Sequence, residues 1–248
     1  MKKFLFLSAI ISGIFLVQGC SKSGGTDNND DQDPDETEQF GNCRVIKTTR
    51  ANFSGSTFKY DDQKRLVRRV NGEHTMEISY GGNMATVVGT SYGNLSYTRT
   101  VTFNNLGYAI NVKTEYPNNT NWNNEAYDYD GKQLVKITTT RGNNPLPSYT
   151  TYQWFEGNMV KETRSNGGIT TYAFDTNELT QKGEYQNLFS LSAGYVAIVN
   201  KNRVKKVIED GITYDITHVE DETGKIKYYR VVSSDGADYR VDLTYECD

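Results

Sequence analysis

The sequence predicts an all-β fold, in which an antiparallel meander of repeated hairpins forms a rolled sheet or open barrel. Three observations predict this fold. Beyond residue 40, strand-favouring Tyr, Thr and Val alternate with Asn-Gly-type turns. A motif of strand end, turn and strand start recurs along the chain. No long segment spaces its apolar residues at the helical period.

Residues 1–19 have the features of an export signal. Lys2 and Lys3 provide a positively charged start, and an apolar run from Phe4 to Val17 is broken only by two serines and a glycine. The run is too short to span a bilayer comfortably as a permanent helix. We therefore predict a signal peptide over residues 1–19.

The sequence Val17-Gln18-Gly19-Cys20-Ser21 resembles a lipobox. An aliphatic residue stands three positions before the cysteine and a small residue one position before it, although Gln18 departs from the usual small or aliphatic residue between them. The resemblance implies a diacylglycerol on Cys20, and the several acyl chains of a mature lipoprotein attach it permanently. The alternative is an ordinary secretory signal that ends near a cysteine.

Beyond the lipidated cysteine, residues 20–39 are predicted to be a disordered acidic tether. From Asp27 to Glu38 the residues are mostly Asp, Asn and Glu, and Pro34 is the only apolar side chain. Low hydrophobicity and like charge cannot offset the cost of ordering. The acids partly match an EF-hand loop, but Gln32 stands where that loop needs glycine. Acids soon after the cysteine also resemble the signal that sends Bacteroidota lipoproteins to the cell surface.

Residues 40–248 are predicted to be a single β domain of balanced charge. Residues 1–39 hold three lysines and seven acids of the chain's 27 basic and 31 acidic residues, so 24 of each sign remain. A neutral domain lacks the basic surface that nucleic-acid binding requires, and export also argues against such a partner. We predict no nucleic-acid partner.

Six triplets, each with apolar or aromatic residues at both ends, lead into a turn and then to another apolar residue. Alternate large residues share one face of a strand, Asp, Asn and Gly suit the turn, and the aliphatic residue begins the return strand. The triplets end at Tyr60, Tyr80, Phe103, Tyr129, Trp154 and Phe174, and the return residues are Leu66, Met84, Leu106, Leu134, Met159 and Leu179. In the last strand, the alternation puts Tyr239, Val241, Leu243 and Tyr245 on one face.

These turns carry a family resemblance. Tyr129-Asp130-Gly131 through Leu134-Val135, and Phe58-Lys59-Tyr60-Asp61 through Leu66-Val67, resemble degenerate YD repeats of Rhs-type proteins. With the lipobox and the acidic tether, residues 43–248 are similar to Bacteroidota lipoproteins that carry the domain of unknown function 4595. That resemblance implies a curved, porin-like β-sheet, and it brings no catalytic residues.

The sheet itself is predicted to be soluble rather than membrane-spanning. Residues 66–70 and 204–208 are strand segments that place Arg or Lys where a lipid-facing band would need apolar side chains. Residues 184–192 break the strand rhythm, which predicts a short helix that plugs or caps an open end of the sheet.

Two cysteines remain besides Cys20: Cys43 opens the first strand and Cys247 ends the last. Disulfides persist in exported chains, and an even remainder favours pairing. A closed or nearly closed sheet would bring its first and last strands together, so we predict a disulfide between Cys43 and Cys247. In an open sheet the two thiols would instead lie far apart.

No catalytic, metal-binding or cofactor-binding residue is predicted. Residues 89–93 match the G-x-S-x-G string of hydrolases, but the next segment has the pattern of a strand where that motif needs a helix, which predicts a hairpin turn. His218 shares a face with Glu220, which supplies only two of the ligands that zinc needs. Carboxylates from distant strands could still meet as glycosidase-like partners.

Trp122 lies among amides, between Asn121 and Asn123, in a predicted long loop. A Trp ring can stack on a sugar while neighbouring amides bond its hydroxyls, so these three residues are candidates for a glycan site. The alternative is that Trp122 folds back to anchor the loop.

The combined prediction is a non-enzymatic lipoprotein of the outer membrane, held by its lipid alone and displayed at the cell surface. It binds a ligand, a glycan among the candidates, with loops at one end of the sheet. A structural or accessory subunit that binds an outer-membrane protein is the alternative, and a hydrolase is the third. The sequence leaves a periplasmic placement open.

Overall fold

The computed structural model describes residues 43–51, 53–117, 121–142, 144–180 and 200–247. The predicted signal peptide, Cys20, the tether and the predicted helix at 184–192 all lie outside these described residues. Within them the chain forms strands and no helix. The strands are β1 (Arg44–Arg50), β2 (Phe53–Tyr60), β3 (Leu66–Asn71), β4 (His74–Gly81), β5 (Met84–Ser91), β6 (Asn94–Phe103), β7 (Ala109–Glu115), β8 (Trp122–Asp130), β9 (Gln133–Arg141), β10 (Asn144–Phe155), β11 (Asn158–Arg164), β12 (Ile169–Leu179), β13 (Asn202–Glu209), β14 (Ile212–Glu220), β15 (Ile226–Ser233) and β16 (Asp238–Glu246).

The strands form a closed antiparallel barrel. Each strand pairs with its neighbours in chain order, and β16 pairs with β1. At this seam Val45 lies opposite Tyr245, and Thr48 lies opposite Leu243. Closure satisfies the backbone groups that an edge strand would leave unpaired. The predicted all-β meander is confirmed, and the sheet closes completely.

The two ends of the barrel can be told apart by the strand termini and turns that lie there. Because sixteen is an even number, β1 begins and β16 ends at the same end. We call this the tether end, since the chain that precedes Cys43 enters there. The turns that follow the odd-numbered strands form the opposite end, which we call the distal end.

Three turns at the tether end share one form. The side-chain oxygens of Asp61, Asn104 and Asp221 each accept hydrogen bonds from the backbone N–H groups two and four residues later. The fourth residue of each turn has a positive φ, and it is glycine in two of the three. Asp and Asn are favoured here because their short side chains replace a backbone acceptor.

Two details of the predicted hairpins are wrong. Leu106 does not begin a return strand, because Asn104 holds its N–H in the turn; the Leu106 side chain is 62% exposed and β7 starts at Ala109. The run from Asp175 to Asn177 is not a turn either. There β12 continues to Leu179 through an irregular register with β13.

The apolar core lies inside the barrel, towards the tether end. Inward residues such as Leu66, Val87, Val101, Leu134 and Ile226 are fully buried. Each such side chain contributes roughly 2 kcal/mol by leaving water. The predicted alternation of the last strand is also confirmed, because its four apolar and aromatic residues all belong to or pack on this core.

The same hydrogen bond recurs near the ends of five even-numbered strands, β2, β4, β8, β10 and β16. In five places an inward Tyr or Trp donates to the backbone carbonyl of the first inward residue on the preceding strand. That acceptor lies at a β-bulge, which removes backbone groups from the regular ladder. The pairs are Tyr60 and Val45 (2.8 Å), Tyr80 and Leu66 (3.0 Å), Tyr129 and Ala109 (2.8 Å), Trp154 and Leu134 (2.8 Å), and Tyr245 and Ile226 (3.0 Å).

The outer face of the barrel is polar and charged. Exposed ion pairs join neighbouring strands or neighbouring residues across it, and they include Arg68 with Glu77, Lys113 with Glu115, and Lys206 with Asp215. None of the described residues form a helix that could cross a bilayer.

Candidate functional site

Among the predicted site residues, Cys43 and Cys247 meet at the tether end. Their sulfur atoms are bonded at 2.08 Å, and 204 positions separate them in the sequence. The bond lies beside the seam between β1 and β16. The termini of the described chain are therefore fixed together at one end of the barrel.

Trp122 does not lie in a long loop, because it is the first residue of β8. Its indole packs on Gly142, where an added Cβ would lie 2.5 Å from the ring nitrogen, and the Gly142 N–H donates to the Trp122 carbonyl at 3.0 Å. Asn123 lies opposite Thr114, whose side chain is buried inside the barrel, so alternation turns Trp122 outward and Asn123 inward. Asn121 is exposed just before the strand. The amides therefore do not flank the ring on one surface.

The interior changes character towards the distal end. There inward positions carry arginine: Arg69 lies opposite the buried Phe58 and Met76, and Arg99 lies opposite the buried Val87. Arg99 donates to the Thr114 hydroxyl at 3.2 Å. Polar side chains therefore line part of the barrel wall towards the distal end.

Arg164 is the centre of a polar network in this distal half. Its guanidinium donates to Glu162 at 2.9 Å, to the Thr170 hydroxyl at 2.9 Å and to the buried Glu209. Burial alone would lower the pKa of Arg164, but the hydrogen bonds and charges of the two glutamates raise it. Burial raises the pKa of neighbouring Tyr172, so that phenol stays neutral. Its one guanidinium is thus fully engaged by two glutamates, so Arg164 is not left for a ligand.

A cleft of about 660 Å³ opens at the distal rim, beside the closure seam. The turn after β1 forms one wall and the turn before β16 forms the other. Its lining comprises Arg50, Ala51, Phe53, Gly236, Ala237, Asp238, Tyr239 and Arg240. The cleft combines an aromatic surface with charged groups, which is typical of sites that bind polar ligands with a ring.

Arg50 is the central charged group of the cleft. Its guanidinium carbon lies 3.6 Å from the ring centre of Tyr239 and 4.2 Å from that of Phe53. Its Nε atom is buried and makes no hydrogen bond with the described residues. Phe53 is 57% exposed, so one side of the site is an accessible aromatic ring.

The other charges at this rim have partners. Asp238 accepts two hydrogen bonds from Arg230, one from Nε at 2.8 Å and one from Nη2, and these bonds lower the pKa of Asp238. Arg240 pairs with Asp242 and stacks on Tyr228 at 3.7 Å. Among the described residues Arg50 forms no such ion pair, so it is the uncompensated cation of the cleft.

A second buried charged cluster lies at the tether end. The Arg203 side chain is only 3% exposed, and it contacts Glu220 at 2.6 Å and Glu178 at 2.9 Å. Beside it, burial and the Arg203 charge lower the pKa of His218 to about 4, opposed by Asp175. Glu220, which the strand pattern puts on the same face as His218, binds Arg203. Within the described ranges no three His, Cys, Asp or Glu side chains converge as metal ligands would.

Sequence reasoning missed the distal cleft. Arg50 and Phe53 come from the start of the domain and Tyr239 from its end, so no spacing in the sequence connects them. Only the register in which β1 pairs with β16 places Arg50 opposite Val241, two residues along β16 from Tyr239 and on the same face of the strand.

Comparison with known proteins bears on this fold. The chain is similar in fold to a porin-like protein from Bacteroides uniformis. The match has a TM-score of 0.61 at 16% sequence identity and covers 85% of this chain and 98% of that one. No protein-family model matches the chain, and no curated protein matches it. The likeness shows the barrel fold, and the resemblance to the domain of unknown function 4595 stays a prediction.

Proposed function

We propose that this chain is a lipid-anchored, non-enzymatic binding protein of the outer membrane, and that its ligand, a glycan, binds in the distal cleft. The observation that carries the proposal is the cleft itself. It combines the accessible ring of Phe53 with the stacked, uncompensated Arg50. Aromatic rings that stack on sugars, with polar groups at their edge, are a recurring way of binding carbohydrates.

The position of the cleft supports this proposal. The chain that leads to the predicted anchor at Cys20 joins the barrel at Cys43, whereas the cleft lies at the opposite end. A barrel attached at that one end leaves its distal end free of the attachment. The cleft is then the part of the molecule most accessible to a large polymeric ligand.

The outer face supports attachment through the lipid rather than through the barrel wall. A lipid-facing wall would need an apolar band, and charges in that band are destabilising. This barrel instead carries exposed ion pairs such as Arg68 with Glu77 and Lys206 with Asp215. The porin-like fold is thus used here as a module that stands in water.

Glycan-array binding of the purified full-length protein tests the proposal. We expect Phe53→Ala to reduce binding about 5- to 30-fold, because stacking on a ring contributes about 1–2 kcal/mol. Phe155→Ala is a matched control, since that ring is similarly exposed but lies at the tether end. Loss of binding with Trp122→Ala alone would move the site to β8, and the absence of any bound glycan would overturn the proposal.

A second function, an accessory subunit that docks on an outer-membrane protein, is favoured by one observation. Exposed apolar side chains recur around the distal rim away from the cleft: Tyr92, Leu95, Leu146, Tyr149 and Ile169. Such surfaces often mark protein contacts. Co-purification of a stoichiometric outer-membrane partner that Leu146→Asp abolishes, with glycan binding unchanged, would establish this function.

A further inference from the structure

We infer that the ligand of the distal cleft is acidic: a glycan whose carboxylate pairs with Arg50 while its sugar ring packs on Phe53. This inference rests on the proposed function and specifies its ligand class. It depends on the charges at the cleft, the surroundings of Arg50 and the shape of the aromatic surface.

The charges at the cleft favour an anion. Asp238 is committed to Arg230, and Arg240 is committed to Asp242. Arg50 has no carboxylate partner among the described residues. One positive charge is therefore left for a ligand, although the domain as a whole is neutral.

The surroundings of Arg50 raise the gain from binding an anion. The guanidinium is partly buried against the rings of Phe53 and Tyr239, and its Nε is removed from water without a hydrogen bond from the described residues. A desolvated cation is costly unless it is paired. Burial also raises the pKa of Tyr239 to about 12, against the opposing Arg50 charge, so its phenol does not supply the missing negative charge.

The shape of the Arg50 guanidinium favours a carboxylate as its partner. A guanidinium stacked on aromatic rings offers its N–H edge, and that planar edge matches the two oxygens of a carboxylate. Stacking also holds the side chain in one orientation before the ligand arrives, which reduces the entropic cost of binding. Phe53 then lies beside the anion site, where a pyranose ring that bears the carboxylate can contact it.

The test uses calorimetry on the purified full-length protein with a panel of hexuronic-acid oligosaccharides, each paired with its carboxyl-reduced neutral form and with a sulfated analogue. We expect the acidic form to bind about 10- to 100-fold more tightly than the neutral form, the range expected for a charge-assisted hydrogen bond. Arg50→Gln should remove this preference. Arg68→Gln, which deletes the same charge on the outer wall, should preserve it.

The outcomes separate the two proposals. Equal binding of neutral and acidic forms that Phe53→Ala still weakens would overturn the acidic ligand and leave the glycan-binding function standing. Preference for the sulfated analogue would overturn the carboxylate as the recognised group. Absence of binding across the panel would overturn the acidic ligand, and absence of binding on the glycan array as well would overturn both. If Arg50→Gln does not fold, the wild-type affinity for the acidic form should still fall as salt rises, while the neutral form shows no such dependence.

Discussion

Removing the disulfide between Cys43 and Cys247 should lower the stability of the barrel without opening it. The bond closes a loop across 204 positions, nearly the whole described chain. A cross-link of that span restricts the unfolded chain by about 5 kcal/mol in the chain-entropy model. The pairing of β1 with β16 remains after reduction, so the folded state should keep its strand content.

Urea unfolding of the full-length protein, followed by circular dichroism, measures this effect. With a slope of roughly 2–3 kcal/mol per molar for a chain of this size, the midpoint of the Cys43→Ser/Cys247→Ser variant should fall by about 2 M. Wild type under reductant should match the variant, and the variant should ignore reductant. Alkylation should add no mass before reduction and two groups afterwards, since the lipid blocks Cys20. A midpoint change below about 0.5 M, or free thiols before reduction, would refute the reasoning.

Three further perturbations follow from named contacts. Tyr80→Phe removes the hydroxyl that donates to a backbone carbonyl, so it should lower the free energy of unfolding by about 1 kcal/mol. Tyr92→Phe at an exposed turn should have no effect, and equal effects of the two changes would contradict the role of the aromatic–carbonyl bonds. Glu209→Gln should lower the free energy of unfolding by about 2 kcal/mol because it removes one of the two carboxylates that pair with Arg164. Asp215→Asn, in an exposed ion pair, should change it by less than about 0.5 kcal/mol, and denaturant titration of both variants measures the difference. Burial and the Arg203 charge lower the pKa of folded His218 to about 4 from its ordinary value of 6.5. As pH drops, the unfolded state therefore binds the proton first, and the free energy of unfolding falls between about pH 6.5 and 4. His218→Gln should remove about 3 kcal/mol of this loss of stability at low pH. Parallel profiles of unfolding free energy against pH for wild type and variant would disprove the role of His218.

Local patterns in the sequence predicted the hairpins, because a hairpin depends on residues that are neighbours in the chain. The turn at Asp61 forms through hydrogen bonds within five residues, and the alternation of β16 follows from the period of a strand. The same patterns failed at Leu106 and at Asp175. The Asn104 turn has the same local hydrogen bonds as the Asp61 turn, and the prediction erred because it placed the return strand at Leu106, inside that turn. At Asp175 the strand boundary depends on the irregular register with β13, which the residue types do not specify.

The candidate site could be predicted only in part. An isolated Trp between amides suggested a binding surface at Trp122, because the residue types suit sugars. The structure instead packs that ring on Gly142 and turns Asn123 to the other face of the sheet. A composition signal cannot distinguish the two faces when the strand boundary is misplaced.

The sequence by itself determined the β-period and the turn chemistry, since both act over a few residues. Only the tertiary structure decided that the sheet closes, because closure depends on the summed twist and register of sixteen strands. That closure brings β1 against β16. It thereby joins Cys43 to Cys247 at the tether end and assembles Arg50, Phe53 and Tyr239 into a cleft at the distal end.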